Sequence, residues 1–348
     1  MTRRAPPERR EEQLRALAVS HTLFTEKTLA RAVARLGFVQ ADPIKAPATA
    51  QDLVLRHRVR GYAVGDLERH YARLPIEEDY LYAYGFLARA TSHALHPRPK
   101  KPMTAVEKRV LAIVRERGTI HPSDIADGAR ITNAWGGQSR ATTWALERLH
   151  RRGLLRVVRR DRGVRVYDLA PEREVLAPDA RLRMLVLAVA NVLSPVLERT
   201  LRANVARFRF LGDPRKAIDT LVHHGSLARI GEYLATSTRC LELGDDVRFL
   251  APFDPIVWDR RRFEHLFGWA YRFEAYTPRE KRVRGYYALP ILFRDRIVGW
   301  ANVTDDDVSM GFVVRPREKA FERELEAEMV RIRTFVEPAA RGKLVGRT

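Results

Sequence analysis

Apolar residues recur at helical spacing through residues 11 to 36, enough for two helices, the second keeping Leu29, Val33 and Leu36 on one face. Thr25 is its expected N-cap, with Phe24 and Leu29 placed as a hydrophobic staple, and Gly37 is its expected stop. Residues 49 to 60 and 64 to 72 read as short helices, and HPRPKKP (96 to 102) reads as a linker. Thr104 and Glu107 make a capping box ahead of a helix over 105 to 117. A short helix around Ser123 to Asp127 follows, then one over 139 to 152 with Trp144, Leu146 and Leu149 on its buried side. Gly153 ends that helix, and two alternating strands then flank the turn Asp161-Arg162-Gly163. Three helices and a β-hairpin make the winged-helix arrangement, a helix-turn-helix variant.

The pattern repeats. ALERLHRRGLL (145 to 155) and AIDTLVHHGSL (217 to 227) share A-x3-L-x3-G-x-L, and the second also ends a helix, begun at Asp213-Pro214, before alternating residues 226 to 235. AVARLGFVQAD is a looser echo near the start. From about residue 241 the character changes: YRFEAY, VRGYYALPIL and RIVGWANVT are β-rich, and a charged amphipathic helix over 316 to 335 closes the chain. The expected fold is α+β, three tandem winged-helix domains followed by a small C-terminal β-barrel, with boundaries at 1–98, 103–172, 173–240 and 241–348.

Charge sharpens this picture. The 348 residues carry 63 Lys+Arg against 43 Asp+Glu, a formal net of +20, and arginine supplies most of the excess. A guanidinium fork suits phosphates and guanine edges, so double-stranded DNA is the expected partner, with a membrane surface as the lesser alternative. The longest apolar run, MLVLAVANVL, is too short to span a bilayer, and no apolar leader is present, so a cytoplasmic, nucleoid-associated protein without membrane attachment is expected. Cys240 is the only cysteine, which excludes an internal disulfide and a cysteine-built zinc site. No HExxH, GxSxG, Walker loop or Cys/His cluster appears, so metal, acyl-transfer and NTPase chemistry find no support.

The basic residues concentrate where a winged helix meets DNA. Arg140 and Arg148 lie on the third helix, Arg159, Arg160 and Arg162 on the hairpin, and Arg56, His57 and Arg58 form an earlier patch. Arg282, Arg284 and Tyr286 set charge beside an aromatic in the C-terminal part, suited to phosphate contact and stacking; Tyr287 follows, and barrel-core packing serves the tyrosines equally well. A non-enzymatic winged-helix regulator and a partner-binding scaffold both fit these features. A regulator reading a two-fold site would be a dimer, whereas this chain is expected to be a monomer.

One stretch departs from its surroundings. In GFVQADPI, Gln40 and Asp42 alternate with apolar residues, and Pro43 disfavours the α region for Asp42, so residues 39 to 42 should be extended with Gln40 and Asp42 on one face. A carboxylate there can stabilise a positively charged sugar, and an amide can orient a water. From pattern alone, an Asx-type turn with Asp42 capping the next helix is the simpler reading.

At these residues the chain resembles the winged-helix DNA glycosylases that excise alkylated purines and unhook interstrand crosslinks. That family carries a Gln-apolar-Asp or Gln-apolar-Gln motif, here Gln40-Ala41-Asp42, and APFDPIVWDRRRFEHLFG, YRFEAYTPREKRVRGYYALPIL and DRIVGWANV are similar to its later region. The resemblance reverses the preference for a plain turn. It implies a monofunctional N-glycosyl hydrolase with Asp42 and Gln40 as catalytic residues and no metal or small-molecule cofactor. After the motif, KAPATAQDLVLRHRV departs from the family pattern, so lesion preference is open.

Overall fold

The computed structural model describes residues 7–99, 101–126, 129–132, 138–304 and 307–344; Lys100 of the expected linker and Asp127 of the expected short helix lie outside them. Helix α1 (Pro7–Thr22) leads to α2 (Leu29–Leu36). The cap of α2 is Thr28, not Thr25. Glu26 is drawn into a backbone bridge with Val59, donating to the Arg58 carbonyl at 2.8 Å and accepting from the Arg60 N–H at 3.1 Å, so the helix starts only after it. Gly37 does stop α2: at φ 79° it donates back to the Val33 carbonyl, a conformation that costs glycine little.

Strand β1 (Phe38–Gln40) follows, then α3 (Ala50–Leu55) and α4 (Asp66–His70), shorter than the helices expected there. Strands β2 (Ile76–Tyr80) and β3 (Tyr84–Ala88) complete a three-stranded antiparallel sheet in the order β1-β3-β2, and α5 (Arg89–Leu95) leaves it. Both faces of this sheet are buried. The pair Phe38–Leu87 faces a core shared with residues 182 to 234, while Val39–Phe86 faces a core shared with residues 110 to 167 and 247 to 336. The segment that carries the Gln-Ala-Asp motif therefore sits between the other parts of the molecule.

Helix α6 (Ala105–Arg117) carries the expected capping box. Between it and α7 (Ala141–Arg151) lies an unexpected two-stranded pair, β4 (Arg130–Thr132) and β5 (Gln138–Arg140), so Arg140 precedes the helix rather than lying on it. The hairpin β6 (Leu155–Asp161) and β7 (Val164–Leu169) turns at Arg162 and Gly163, both with positive φ (49° and 84°), and Ile120 bridges to Tyr167. Next come α8 (Pro178–Val192), β8 (Val196–Leu197), α9 (Glu198–Val205), α10 (Pro214–His223), β9 (Ala228–Ile230) and β10 (Tyr233–Ala235), the strands ordered β8-β10-β9.

The C-terminal part holds β11 (Val247–Phe249), α11 (Arg260–Phe267), β12 (Leu289–Phe293), β13 (Arg296–Val303), β14 (Val308–Phe312) and the long α12 (Lys319–Leu344). Its four strands form an open sheet in the order β11-β12-β13-β14, not the expected barrel. Helix α12 takes the place of further strands: Phe321 meets Phe293 and Phe312 edge-on, and Leu325 and Ile332 are buried with them. YRFEAY is not a strand either. The Glu274 carboxylate accepts the N–H groups of Val283, Arg284 and Gly285, which folds residues 271 to 285 into a pinned loop. No helix among the described residues is long and apolar enough to cross a membrane.

Two arginines tie the chain together from inside. Arg58 is fully buried, donating to Thr22 and Val54 carbonyls and, through both terminal nitrogens, to Asp254 at 2.8 and 3.0 Å. Arg262, equally buried, donates to the carbonyls of Ser194, Pro195, Pro255 and Ile256. Removing one partner of a buried pair strands the other charge, at a cost of about 3–5 kcal/mol. Asp254→Ala should lose roughly that much stability in denaturant titrations, whereas a surface change such as Asp161→Ala should cost less than about 0.5 kcal/mol.

Candidate active site

Gln40 ends β1, opposite Gly85 on β3. Gly85 has to be a glycine: a Cβ there would lie 2.3 Å from the Val39 carbonyl oxygen and 2.6 Å from the Phe38 ring. The ladder runs one residue further, Ala41 donating to the Tyr84 carbonyl at 3.0 Å, and then the chain leaves the sheet. Asp42 donates its own N–H to Gln51 Oε1 on α3 (3.3 Å), and its Oδ1 accepts the Ile44 N–H at 2.9 Å. That second bond is the Asx turn, although no helix follows directly. The turn and a chemical role are compatible, because the bond fixes one carboxylate oxygen and leaves Oδ2 for other work.

Helix α3 is a firm support for this loop. Thr49 caps it and donates to Asp52 Oδ2 at 2.7 Å, while the Tyr62 hydroxyl and the Gly65 N–H both donate to Asp52 Oδ1. Asp42 itself is half-buried, and burial raises its carboxyl above the ordinary value of 3.8, the Ile44 N–H opposing that shift. Gln40 Oε1 is buried with no hydrogen-bond partner among the described residues. From the far end of the chain Tyr287 comes close enough for the Asp42 charge to act on its hydroxyl, which burial first and Asp42 second hold well above the usual phenol range. Among the described residues no cluster of three or more His, Cys, Asp or Glu side chains is arranged to hold a metal.

The DNA contacts expected from sequence divide sharply. Arg58 is sealed inside, as described above. His57 is buried, bonded to the Phe249 carbonyl at 3.0 Å, and burial holds it well below its ordinary value. Arg56 pairs with the buried Glu328. None of these three is presented to a duplex, since folding has already given each an internal partner. The hairpin is also partly committed inward: β2 carries three buried acids in a row, and Glu77 pairs with Arg156 while Glu78 pairs with Arg160. Arg148 bonds to Glu107 and lies 4.6 Å from the Trp144 ring centre. Arg140 and Arg162 remain exposed, and Arg159 is exposed beside Asp161.

In the C-terminal loop, Arg282 lies over the exposed Tyr286 at 5.1 Å, and Arg284 lies against Trp269 (4.8 Å) and Trp300 (5.7 Å). Sequence reasoning selected Tyr286, left Tyr287 between stacking and core packing, and passed over Gln51. The signal for Tyr287 was present: it continues the alternation of Leu289, Ile291 and Phe293, all buried in one core, so its ring faces in where Tyr286 faces out. Nothing local marks Gln51.

A carboxylate and an amide thus stand at a strand end on a mixed helix-and-sheet frame. Residues 33–335 match the family model described as DNA glycosylase AlkZ-like, and the chain belongs to that family. Its fold is similar to that of Streptomyces sahachiroi DNA glycosylase AlkZ, with a TM-score of 0.57 at 14% identity over 94% of this chain and 96% of that one. The chain is thus a DNA glycosylase, and the regulator reading is set aside.

The raised Asp42 carboxyl has a consequence for stability. A group harder to ionise when folded favours the fold below its unfolded value, and this contribution is lost as pH rises through the folded one. Asp42→Asn keeps an oxygen for the Ile44 N–H and removes the penalty. The variant should therefore unfold at higher denaturant than the parent at pH 7, with the difference vanishing below about pH 4.

Proposed function

We propose that this glycosylase is a monofunctional hydrolase of the N-glycosidic bond in bulky N7-alkylpurines, including crosslinked ones, within duplex DNA. Alkylation at N7 leaves the purine cationic, so the bond breaks without an acid to protonate the base. What the protein must supply is stabilisation of an oxocarbenium-like sugar and a water on its open face. Asp42 faces the sugar and takes the proton as the water oxygen bonds to C1′; the bonding pair of the C1′–N9 bond leaves with the neutral base. Gln40 holds the water. The observation that carries this reading is Asp42 with one oxygen tied to the Ile44 N–H and the other free, two residues from an amide whose oxygen has no partner of its own.

The three helix-and-strand segments before residue 241 are read as winged helices, acting as a monomer on the duplex. Arg140, Arg159 and Arg162 on one side, and Arg282, Arg284 and Tyr286 on the other, supply its contacts. Their charge makes binding fall steeply with salt, each engaged phosphate releasing its counterion.

Incubation with duplex containing N7-methylguanine, or crosslinked by a nitrogen mustard, followed by hot alkali, should cut the strand at the lesion. Asp42→Asn and Gln40→Ala should lose cleavage by about 10²–10⁴-fold while still binding duplex. Absence of an abasic product from both substrates would remove this substrate assignment. In the same duplexes, Arg162→Ala should weaken binding and flatten its salt dependence by about one unit of slope, without changing the rate once DNA is saturating.

A further inference from the structure

Two of the buried polar atoms without a hydrogen-bond partner among the described residues are Gln40 Oε1, two residues before Asp42, and the Tyr287 hydroxyl, on which the Asp42 charge acts. Buried polar groups nearly always find a partner, so these two call for an explanation. They come from opposite ends of the chain. Gln40 stands two residues before Asp42, on the edge strand β1. Tyr287 leads into β12, only 4% exposed, with its ring against Phe273 edge-on at 5.4 Å and in the core that Ala41 and Ile44 also touch.

The position of Tyr287 is set rather than incidental. Its ring continues the buried face of β12, and the loop before it is pinned by the three N–H bonds to Glu274 and by Asn302, which donates to the Arg284 carbonyl at 2.6 Å. The groups acting on its hydroxyl are Asp42, Tyr271, Arg260 and Tyr276, of which Asp42 is the strongest. Tyr271 is already engaged, donating to the Ala288 carbonyl at 2.7 Å, and Arg260 donates to the Val257 carbonyl and lies over the Tyr271 ring at 4.5 Å. Tyr276 is largely exposed and open to solvent, which leaves Asp42 Oδ2 as the part-buried oxygen without a protein partner among the described residues. Yet Tyr287 and Asp42 make no direct hydrogen bond. Two polar groups that feel each other without touching are bridged naturally by one water.

We propose that Tyr287 is a third catalytic residue, donating its hydroxyl proton in a hydrogen bond to the attacking water. This rests on the reading of Gln40 and Asp42 above. The water then donates to Gln40 Oε1 and Asp42 Oδ2 and accepts from Tyr287, and its remaining lone pair is left for C1′. Tyr287 gives up no proton; held well above the usual phenol range, it stays a donor throughout the working pH range. A site closed from both ends of the chain also means that the water is fixed only when the C-terminal part is docked on the first sheet.

The test is single-turnover release of N7-methylguanine from duplex by Tyr287→Phe, with Tyr286→Phe, Gln40→Ala and Asp42→Asn in parallel. Tyr287→Phe keeps the ring and deletes only an unpartnered hydroxyl, so its unfolding midpoint should not fall. Its rate at saturating enzyme should drop about 10- to 100-fold, less than general-base loss because Asp42 remains, with duplex binding intact. The acid limb of its pH–rate profile should move to higher pH, because the carboxylate has lost a donor acting through the water; a merely structural role would leave that limb in place. A parental rate and limb for Tyr287→Phe, with Gln40→Ala and Asp42→Asn inactive, would overturn the role of Tyr287 alone. Full activity of Asp42→Asn would overturn the underlying site and this proposal with it. A high-resolution structure of the parent provides a second measurement independent of rates, with a water in contact with all three groups expected and none overturning the proposal.

Discussion

The architecture depends on a charge taken entirely out of water. Arg58 leaves α3 pointing inward, and its guanidinium joins the end of α1, the end of α3 and Asp254 from the C-terminal part. In a low-dielectric interior an unpaired guanidinium would be prohibitive, so the pair forces three distant stretches into one geometry. Arg262 does the same between α11 and the turn at Ser194-Pro195. Such pairs contribute less to net stability than an apolar core of equal volume would, but they tolerate almost no displacement. That intolerance is what the site proposed at residues 40, 42 and 287 requires.

The same reasoning changes the meaning of the net charge. A surplus of twenty positive charges reads from sequence as a surface made for DNA. In the structure a good part of the arginine count is internal wiring: Arg156 and Arg160 reach from the hairpin to Glu77 and Glu78, Arg98 reaches to Asp79, and Arg152 reaches to Glu107. Each buried acid is one that a first reading would have placed in solvent. The hairpin arginines therefore hold the second segment against the sheet that carries Gln40, and only the tip of the turn is free for other contacts.

What could be read in advance was local. Gly37, the Thr104–Glu107 box and the Arg162-Gly163 turn are each decided within about four residues, and each holds in the fold. The Asx turn at Asp42 was legible for the same reason, its Oδ1 accepting an N–H only two residues on. Thr25 failed as a cap because a partner some thirty residues away, at Arg58, claims the backbone of Glu26 first. YRFEAY failed as a strand because its central glutamate found three amides in a later loop. The barrel failed because a terminal helix covered the sheet. In every case a long-range partner outbid a sound local pattern.

The proposed site is defined by groups whose polarity the fold leaves unmet. Elsewhere the buried carboxylates are satisfied: Asp254 by Arg58, Glu78 by Arg160 and Glu107 by Arg152, while Asp52 and Glu274 each accept three hydrogen bonds from neutral donors. Asp42 differs in accepting a single N–H among the described residues, with no cation bonded to it and burial working against its charge. A cation there would stabilise the carboxylate and would also spend the negative charge that a developing oxocarbenium needs. An unsatisfied amide and an unsatisfied hydroxyl nearby add further cost without any gain to the fold. Rigid, fully paired arginines at the joints and unpaired groups at one strand end are two sides of one arrangement. The first keeps the geometry fixed so that the second can remain unsatisfied until substrate and water arrive.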